Sequence, residues 1–395
     1  MPTVPTALTM SSTAGRRAVV TSLIGMAKPE LERLVVELGA PKYRAKQIAD
    51  GLYGVRRCRD IDAFHNIPAS LRAGLVERGM DTGRLACVNS VLAADGTGKL
   101  LLSVGEREVI ETIGIPDASC FDGGENGNGV GDFSGVRGWD RQRLTACVSS
   151  QVGCAQKCSF CATGLQGFKR NLTASEIVSQ VLELEQAYGK RCSHVVFMGM
   201  GEPLLNMKNV VRAIRCMNED IGIGGRHITV STVGIPNSLA KFAAEKLPIT
   251  LAVSLHAPDQ ETREKIVPSA RNYSIDDLLN DARDYFRVTG RRVTFEYTLL
   301  AGVNDSPHQA KLLGKTLKRK FGPGAHVNVI PWNPIEELSS KHSRPSGNAL
   351  HRFCSILSEE GVNQSIRRTR GLETEAACGQ LRGDFERRRL GVKPP

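Results

Sequence analysis

No run of eighteen apolar residues occurs in this 395-residue chain, so no helical membrane span and no membrane partner are expected. The cysteines of a secreted disulfide framework are missing too. The eleven present are an odd number, three of them crowd together at Cys154, Cys158 and Cys161, and a 42.8 kDa chain buries enough core to need no staples. A reducing compartment with metal or redox chemistry fits that usage better. Acidic residues are absent before Glu30, while Arg16, Arg17 and Lys28 stand among Ser, Thr and Ala. That composition suits an organelle transit segment and ordinary N-terminal disorder equally. Residues 1–21 are set apart on this ground, leaving a cytoplasmic location or, if the segment is a transit peptide, a plastid or other organelle. Aliphatic side chains nearly vanish from residues 117–143, which hold seven glycines and read as a mobile inserted loop.

What is present is basic. The formal charge of +11 and the pI near 9.2 favour a polyanionic partner without identifying one. Helical spacing in "PELERLVVELG" and "AKQIADGLYG" predicts a small helical domain over residues 22–90, and a hairpin-like extension turning at Asp95-Gly96 is expected over residues 91–116. After Leu144, short β-branched runs such as "HVVFMGMG", "HITVSTVG" and "ITLAVSLHA" alternate with amphipathic segments. Such alternation predicts an α/β core over residues 144–381 around a parallel sheet, open or closed into a barrel. Functional residues then belong at strand C-termini. Gly201 and Glu202, Ser231, the run Ser254, Leu255 and His256, and Asn333 all fall there. Each has a plainer reading: a strand end for the serines, a structural histidine, a turn at Asn333-Pro334, a solvated Glu202.

The spacing Cys154-x3-Cys158-x2-Cys161 supplies three soft ligands. A closed zinc site needs a fourth, for which His194 or Cys192 are candidates, and an ordinary 4Fe-4S cluster also takes four cysteines. Three leave one iron open to a cofactor.

With Phe160 before its last cysteine, this motif resembles the signature of the radical S-adenosylmethionine superfamily. "CVSSQVGCAQKCSFCATG", "VVFMGMGEPLLN", "VSLHAP", "IPWNP" and "RRTRGLETEAACGQL" together resemble the adenine-C2 methyltransferase family that modifies 23S ribosomal RNA and transfer RNA. The resemblance implies a partial (β/α)6 TIM-like barrel of the radical S-adenosylmethionine type with an N-terminal helical RNA-binding domain. It also implies one 4Fe-4S cluster on Cys154, Cys158 and Cys161, and two S-adenosylmethionine molecules per turnover bound through Gly201, Glu202, Ser231, Ser254, Leu255, His256 and Asn333. Carbon 2 of adenine is electron-poor, so direct transfer from a sulfonium is unavailable. The family methylates a cysteine, here Cys378, removes hydrogen from that methyl group with a 5′-deoxyadenosyl radical, and adds the resulting radical to the ring. Cys147 is then implied as the thiol that releases the product by forming a disulfide with Cys378, and Glu111 as the proton acceptor.

The chain departs from the family pattern at Glu373, where aspartate is usual, at Val233, where serine is common, and in the long loop that separates Glu111 from Cys147 and contains Cys120. RNA is expected on the N-terminal domain, where Lys42, Arg44, Lys46, Arg56, Arg57 and Arg59 interleave with Tyr43 and Tyr53, and on the tail of residues 382–395 with Arg387, Arg388 and Arg389. A solvated helix face is the plainer reading of that run. A monomer served by an electron donor such as flavodoxin or ferredoxin is expected. The rival readings are the sister activity at adenine carbon 8, which uses the same cysteines, and a zinc-stabilised RNA-binding protein without catalysis. Cys58, Cys87, Cys120, Cys192, Cys216 and Cys354 carry no assigned chemistry.

Overall fold

The structure, a computed structural model, describes residues 21–117, 133 and 143–381. Residues 1–20, nearly all of the glycine-rich loop with Cys120, and the basic tail lie outside the described residues.

The chain enters through β1 (Thr21–Ser22) and winds through α1 (Lys28–Glu37), α2 (Tyr43–Tyr53) and α3 (Ala69–Glu77). It returns in β2 (Met80–Asp81), parallel to β1. Apolar residues three and four apart give each helix a buried stripe: Leu31, Leu34 and Val35, then Ala45, Ile48 and Leu52, then Leu71 and Leu75. This helical unit docks on α5 (Ala174–Tyr188) by charge. Arg84 and Arg59 both reach Glu183 at 2.7 Å, and Arg57 reaches Glu185 at 2.7 Å.

That docking corrects part of the RNA expectation. Arg57 and Arg59 are held in ion pairs within the fold, and Tyr53 is buried with its hydroxyl accepting from the Gly25 amide at 2.8 Å, so it has no face for a base. Tyr43 remains exposed with the Arg44 guanidinium 4.9 Å over its ring, beside exposed Lys42, Lys46 and Arg56.

β3 (Ala86–Leu92) and β4 (Gly98–Ser103) pair antiparallel around the Asp95-Gly96 turn, and β5 (Val109–Pro116) joins β4 to β6 (Leu144–Cys147). These strands are not a separate extension. The expected boundary at residue 90 falls inside β3, and β4 and β5 are buried at nearly every position, which only a sheet covered on both faces provides. One loop residue, Phe133, packs edge-on against Tyr188 at 5.2 Å. Gly98 and Gly114 leave room for these rings, since a Cβ at either would lie 2.4 Å from them.

Beyond β6 come the small hairpin β7 (Gln151–Gly153) and β8 (Phe168–Asn171), which flank α4 (Ala162–Gln166). Helix α5 opens on a Thr173–Glu176 capping box. The parallel strands β9 (His194–Phe197), β10 (Ile228–Thr232), β11 (Thr250–Ser254), β12 (Val293–Leu299) and β13 (His326–Pro331) then alternate with α6 (Met207–Glu219), α7 (Ser238–Ala244), α8 (Gln260–Ile266), α9 (Ile275–Thr289) and α10 (Pro307–Phe321). Finally α11 (Gly347–Glu359) leads to β14 (Asn363–Ile366).

In space the sheet runs β14-β13-β12-β11-β10-β9-β6-β5-β4-β3, parallel as far as β6. Six parallel strands are expected from the resemblance; β14 is a seventh, too polar and short to read from its sequence. The edges β14 and β3 do not pair, so the barrel is partial. The segment after β14 bridges the edges: the Gly371 amide donates to Asp95 Oδ2 at 3.0 Å, and Lys99 Nζ donates to the Glu375 carbonyl at 3.1 Å. This strap carries Cys378.

Candidate active site

The C-terminal ends of the parallel strands surround a cavity walled by the three motif cysteines, Gly201, Glu202, Ser231, Ser254 and His256. Past β9 the chain turns at Gly201 with φ +101°, and a Cβ there would lie 2.5 Å from that of Gln151, so only glycine fits. The turn lets the Glu202 amide donate to Gln151 Oε1 at 2.8 Å and buries the Glu202 side chain. Its Oε1 accepts from the Leu204 amide and its Oε2 from the Val233 amide, each at 2.9 Å. Burial raises its pKa while these bonds oppose the rise. The solvated reading of Glu202 is thereby ruled out.

Ser231 and Ser254 close β10 and β11 with their hydroxyls 3.1 Å apart. His256 has φ +58°, and its Nδ1 accepts the Thr298 amide at 3.0 Å, which places its proton on Nε2. Burial, then the charge of Arg263, holds its pKa down to about 3, so the ring is neutral. It meets Phe160 edge-on at 4.8 Å.

Two expected cofactor residues stand elsewhere. The Leu255 side chain is fully buried in the apolar core and is absent from the cavity wall; its carbonyl instead accepts from Arg263 Nε at 3.2 Å. Asn333 lines an adjoining recess, where its Nδ2 donates to the Cys378 carbonyl at 3.1 Å.

Cys154, Cys158 and Cys161 are half-buried on one cavity wall. Burial pushes Cys154 up to about 12, and Cys158 is raised by burial and by its two neighbours, with Arg263 opposing. Such thiols ionise when a metal binds them. Neither fourth zinc donor lines that cavity: His194 lies in an adjoining recess at the start of β9, and Cys192 is buried in the apolar core. No three Cys, His, Asp or Glu side chains among the described residues are grouped to hold a single ion. Three thiols around a shared cavity suit a cluster, in which each binds its own iron, better than one tetrahedral ion.

Cys378 lies between the cavity and the recess and lines both. Its side chain is solvent-accessible. Its neighbours fix it. The Ala162 amide of α4 donates to the Gly379 carbonyl at 2.7 Å, Thr163 Oγ1 donates to the Leu381 carbonyl at 2.7 Å, and Gln380 Nε2 donates to the Pro334 carbonyl at 2.7 Å. Cys147, at the end of β6, is a buried thiol pushed up to about 12 by burial and by Cys378, with Arg367 and the Met198 amide opposing. Both are free thiols.

Glu111 lies on β5, whose Ile113 pairs with Cys147, so Glu111 and Cys147 share one face of the sheet. Ser149 Oγ donates to the Glu111 carbonyl at 2.7 Å and Thr112 Oγ1 to that of Cys147 at 2.9 Å. The long loop therefore does not part them. The Glu111 carboxylate is buried 3.7 Å from Lys99 Nζ.

Sequence reasoning missed four residues. Lys99 links Glu111 to the strap. Arg367 lies beside Cys147, Cys378 and Glu296; burial opposes its charge, but these three raise its pKa overall. Arg263 is buried and donates to the Val233 and Leu255 carbonyls. Glu296, buried on the cavity wall, accepts from Asn328 Nδ2 at 2.8 Å. The only trace was a buried-strand charge, as in "RVTFEYTLL".

The family model described as the Radical SAM superfamily matches residues 148–311, and that of the ribosomal RNA large subunit methyltransferase N-terminal domain matches residues 21–79. The probable dual-specificity RNA methyltransferase RlmN of Thermosynechococcus vestitus is 48% identical over 91% of this chain and 98% of its own length. The protein of the same name from Prochlorococcus marinus is 46% identical over 96% of this chain and 99% of its own. Among solved structures, a radical SAM methyltransferase from Sphaerobacter thermophilus superposes with a TM-score of 0.80 at 39% identity, covering 92% of this chain and 99% of that one.

Proposed function

Because this chain belongs to the RlmN family of dual-specificity RNA methyltransferases, we propose that it methylates carbon 2 of adenosine in 23S ribosomal RNA and in transfer RNA, with Cys378 as the methyl carrier. The observation that supports this most is the place of Cys378, held between the cavity of the three motif cysteines and a second recess, with Cys147 beside it. Bound there, a 4Fe-4S cluster and S-adenosylmethionine would supply the one-electron chemistry that removes hydrogen from a methyl group on Cys378. Cys154, Cys158 and Cys161 would hold the cluster, and Gly201, Glu202, Ser231, Ser254 and His256 would line the S-adenosylmethionine site.

The protein's own groups then divide the work. Cys378 carries the one-carbon unit to the ring and Glu111 accepts the ring proton. Cys147, as its thiolate, attacks the Cys378 sulfur, so that a Cys147–Cys378 disulfide forms while the carbon leaves with the electron pair of the sulfur-carbon bond and takes up a proton to become the methyl group of the RNA. An external reductant restores both thiols. Two S-adenosylmethionine molecules would be used per turnover, one as the methyl source for Cys378 and one for the radical chemistry. The reading extends to a monomer served by a flavodoxin- or ferredoxin-type donor, and cysteine usage supports a reducing compartment, cytoplasmic or within an organelle.

The test is anaerobic incubation of the cluster-loaded protein with S-adenosylmethionine, a reductant and unmodified ribosomal RNA, followed by nucleoside mass spectrometry. 2-Methyladenosine from the wild type and none from Cys378→Ala is the expected result. Methylation at carbon 8 would overturn the regiochemistry, and product from Cys378→Ala would overturn the carrier.

A further inference from the structure

The described surface holds a second concavity that the cofactor chemistry does not use. It opens among residues at or before the N-terminal ends of β6, β9 and β10, namely Arg143, His194, Arg226 and His227, and continues up to the strap at Arg368 and Arg370. The cavity of the motif cysteines lies instead at the strand C-termini. The two share only Ile330, Arg367 and Cys378, so those three side chains form a partition with the methyl-carrying sulfur in it.

We propose that this recess is the RNA-binding site around the target nucleotide, its arginines holding phosphates and its paired imidazoles giving a base a stacking platform, so that RNA reaches Cys378 from the barrel mouth opposite the cluster. The inference rests on the RNA methyltransferase reading and adds where the polynucleotide docks.

The lining of the recess carries charge of one sign. Five arginines line the recess and no lining residue is acidic. The Asp95 carboxylate, outside the lining, stands 3.9 Å from Arg370, and Asp117 acts on His194 from the same side. A concave surface of one sign concentrates a polyanion, and arginine suits phosphate by its forked donors. An aromatic pair stands in the same recess. His194 and His227 stack with centroids 4.4 Å apart and planes 21° from parallel, a flat surface of the kind on which unstacked bases rest. Burial, then Arg143 and His227, hold the His194 pKa down to about 4, so that ring stacks uncharged.

The recess also gives access to the sulfur. On the cluster side the strap is sewn to α4 through Ala162 and Thr163, and Trp332 Nε1 donates to the Phe160 carbonyl at 3.0 Å. Cys378 lines the recess as well as the cavity of the motif cysteines, so a group entering the recess meets its sulfur from the side away from those cysteines. A base pulled from its stack can reach that sulfur through such a recess.

Arg226 and Arg368 are both exposed, so Arg226→Gln with Arg368→Gln tests the recess without disturbing the core. Filter binding of unmodified transfer RNA by the full-length, cluster-loaded protein is measured across a salt series. Affinity is expected to fall at least tenfold near 0.1 M salt, and the slope of log affinity against log salt by about 2, one per lost phosphate contact. The melting temperature is expected to stay unchanged, and the Arg226→Lys with Arg368→Lys protein to recover most of the affinity. A glutamine pair that binds with wild-type affinity and slope, while the wild type methylates RNA, would overturn the recess and leave the function standing. A wild type that neither binds nor methylates RNA would overturn both. A folded lysine pair as weak as the glutamine pair would overturn phosphate charge as the basis.

Discussion

At the scale of single residues, the site is a set of side chains with one permitted place. Gly201 is the clearest: its φ of +101° and the 2.5 Å approach to Gln151 forbid a side chain twice over. Gly201→Ala should lose about 3 kcal/mol and weaken S-adenosylmethionine binding. Gly290→Ala, at the left-handed end of α9 where φ is +65° with nothing within 4 Å, should lose only about 1 kcal/mol. Chemical denaturation of the two variants measures this, and equal losses would contradict the steric argument.

The paired thiols make a second prediction. With Cys147 pushed up to about 12, its thiolate is scarce at neutral pH. Its alkylation rate, followed by peptide mass spectrometry, should climb about tenfold per pH unit from 7 to 10 without a plateau. Arg367 lowers that pKa, so Arg367→Met should slow the reaction further. The same shift has a stability sign: the unfolded thiol ionises near 9 and the folded one near 12, so the fold loses stability as pH rises through that window. The cysteine spacing and the glycine turn were legible in the chain because local geometry alone demands them. Lys99, Arg367 and Glu296 were not, because a charge inside an apolar strand shows no partner until distant strands are brought together.

At the scale of elements, β5, β6 and the strap act as one unit. β5 sets Glu111 on the face of Cys147, and Lys99 on β4 reaches both Glu111 and the strap carbonyl of Glu375. Lys99→Met should cost on the order of 3 kcal/mol, as breaking a buried ion pair does. It should also raise hydrogen exchange in residues 371–378. Lys99→Met with Glu111→Gln should regain much of the stability without regaining turnover. Unchanged exchange in the strap would show that Lys99 does not hold it. The alternation of βα units was readable because burial on both faces writes continuous apolar strands. The merger of the hairpin into the main sheet was not, since no local pattern says which edge a strand joins, and the polar β14 has no signal of its own.

At the scale of the whole molecule, the helical unit is fastened to the barrel through buried charge, chiefly Arg84 on Glu183 with both side chains under 5% exposed. Arg84→Met should release that unit, seen as faster limited proteolysis near residues 78–85, while the cluster absorbance of the barrel persists. Simultaneous loss of both signals would mean that the two parts fold as one. Within the basic run of the N-terminal unit only Arg57, Arg59 and Tyr53 were misjudged, because sequence shows how many arginines a segment carries and not which of them a carboxylate from α5 has already taken. The central claim is that Cys378 carries carbon to RNA and Cys147 frees it. The most direct measurement is anaerobic turnover by Cys147→Ala with unmodified transfer RNA, followed by nuclease and protease digestion and mass spectrometry of the peptide containing Cys378. The account predicts an adenosine joined to the Cys378 sulfur through one carbon, accumulating to about one per protein. Free methylated RNA with an unmodified Cys378 would contradict it.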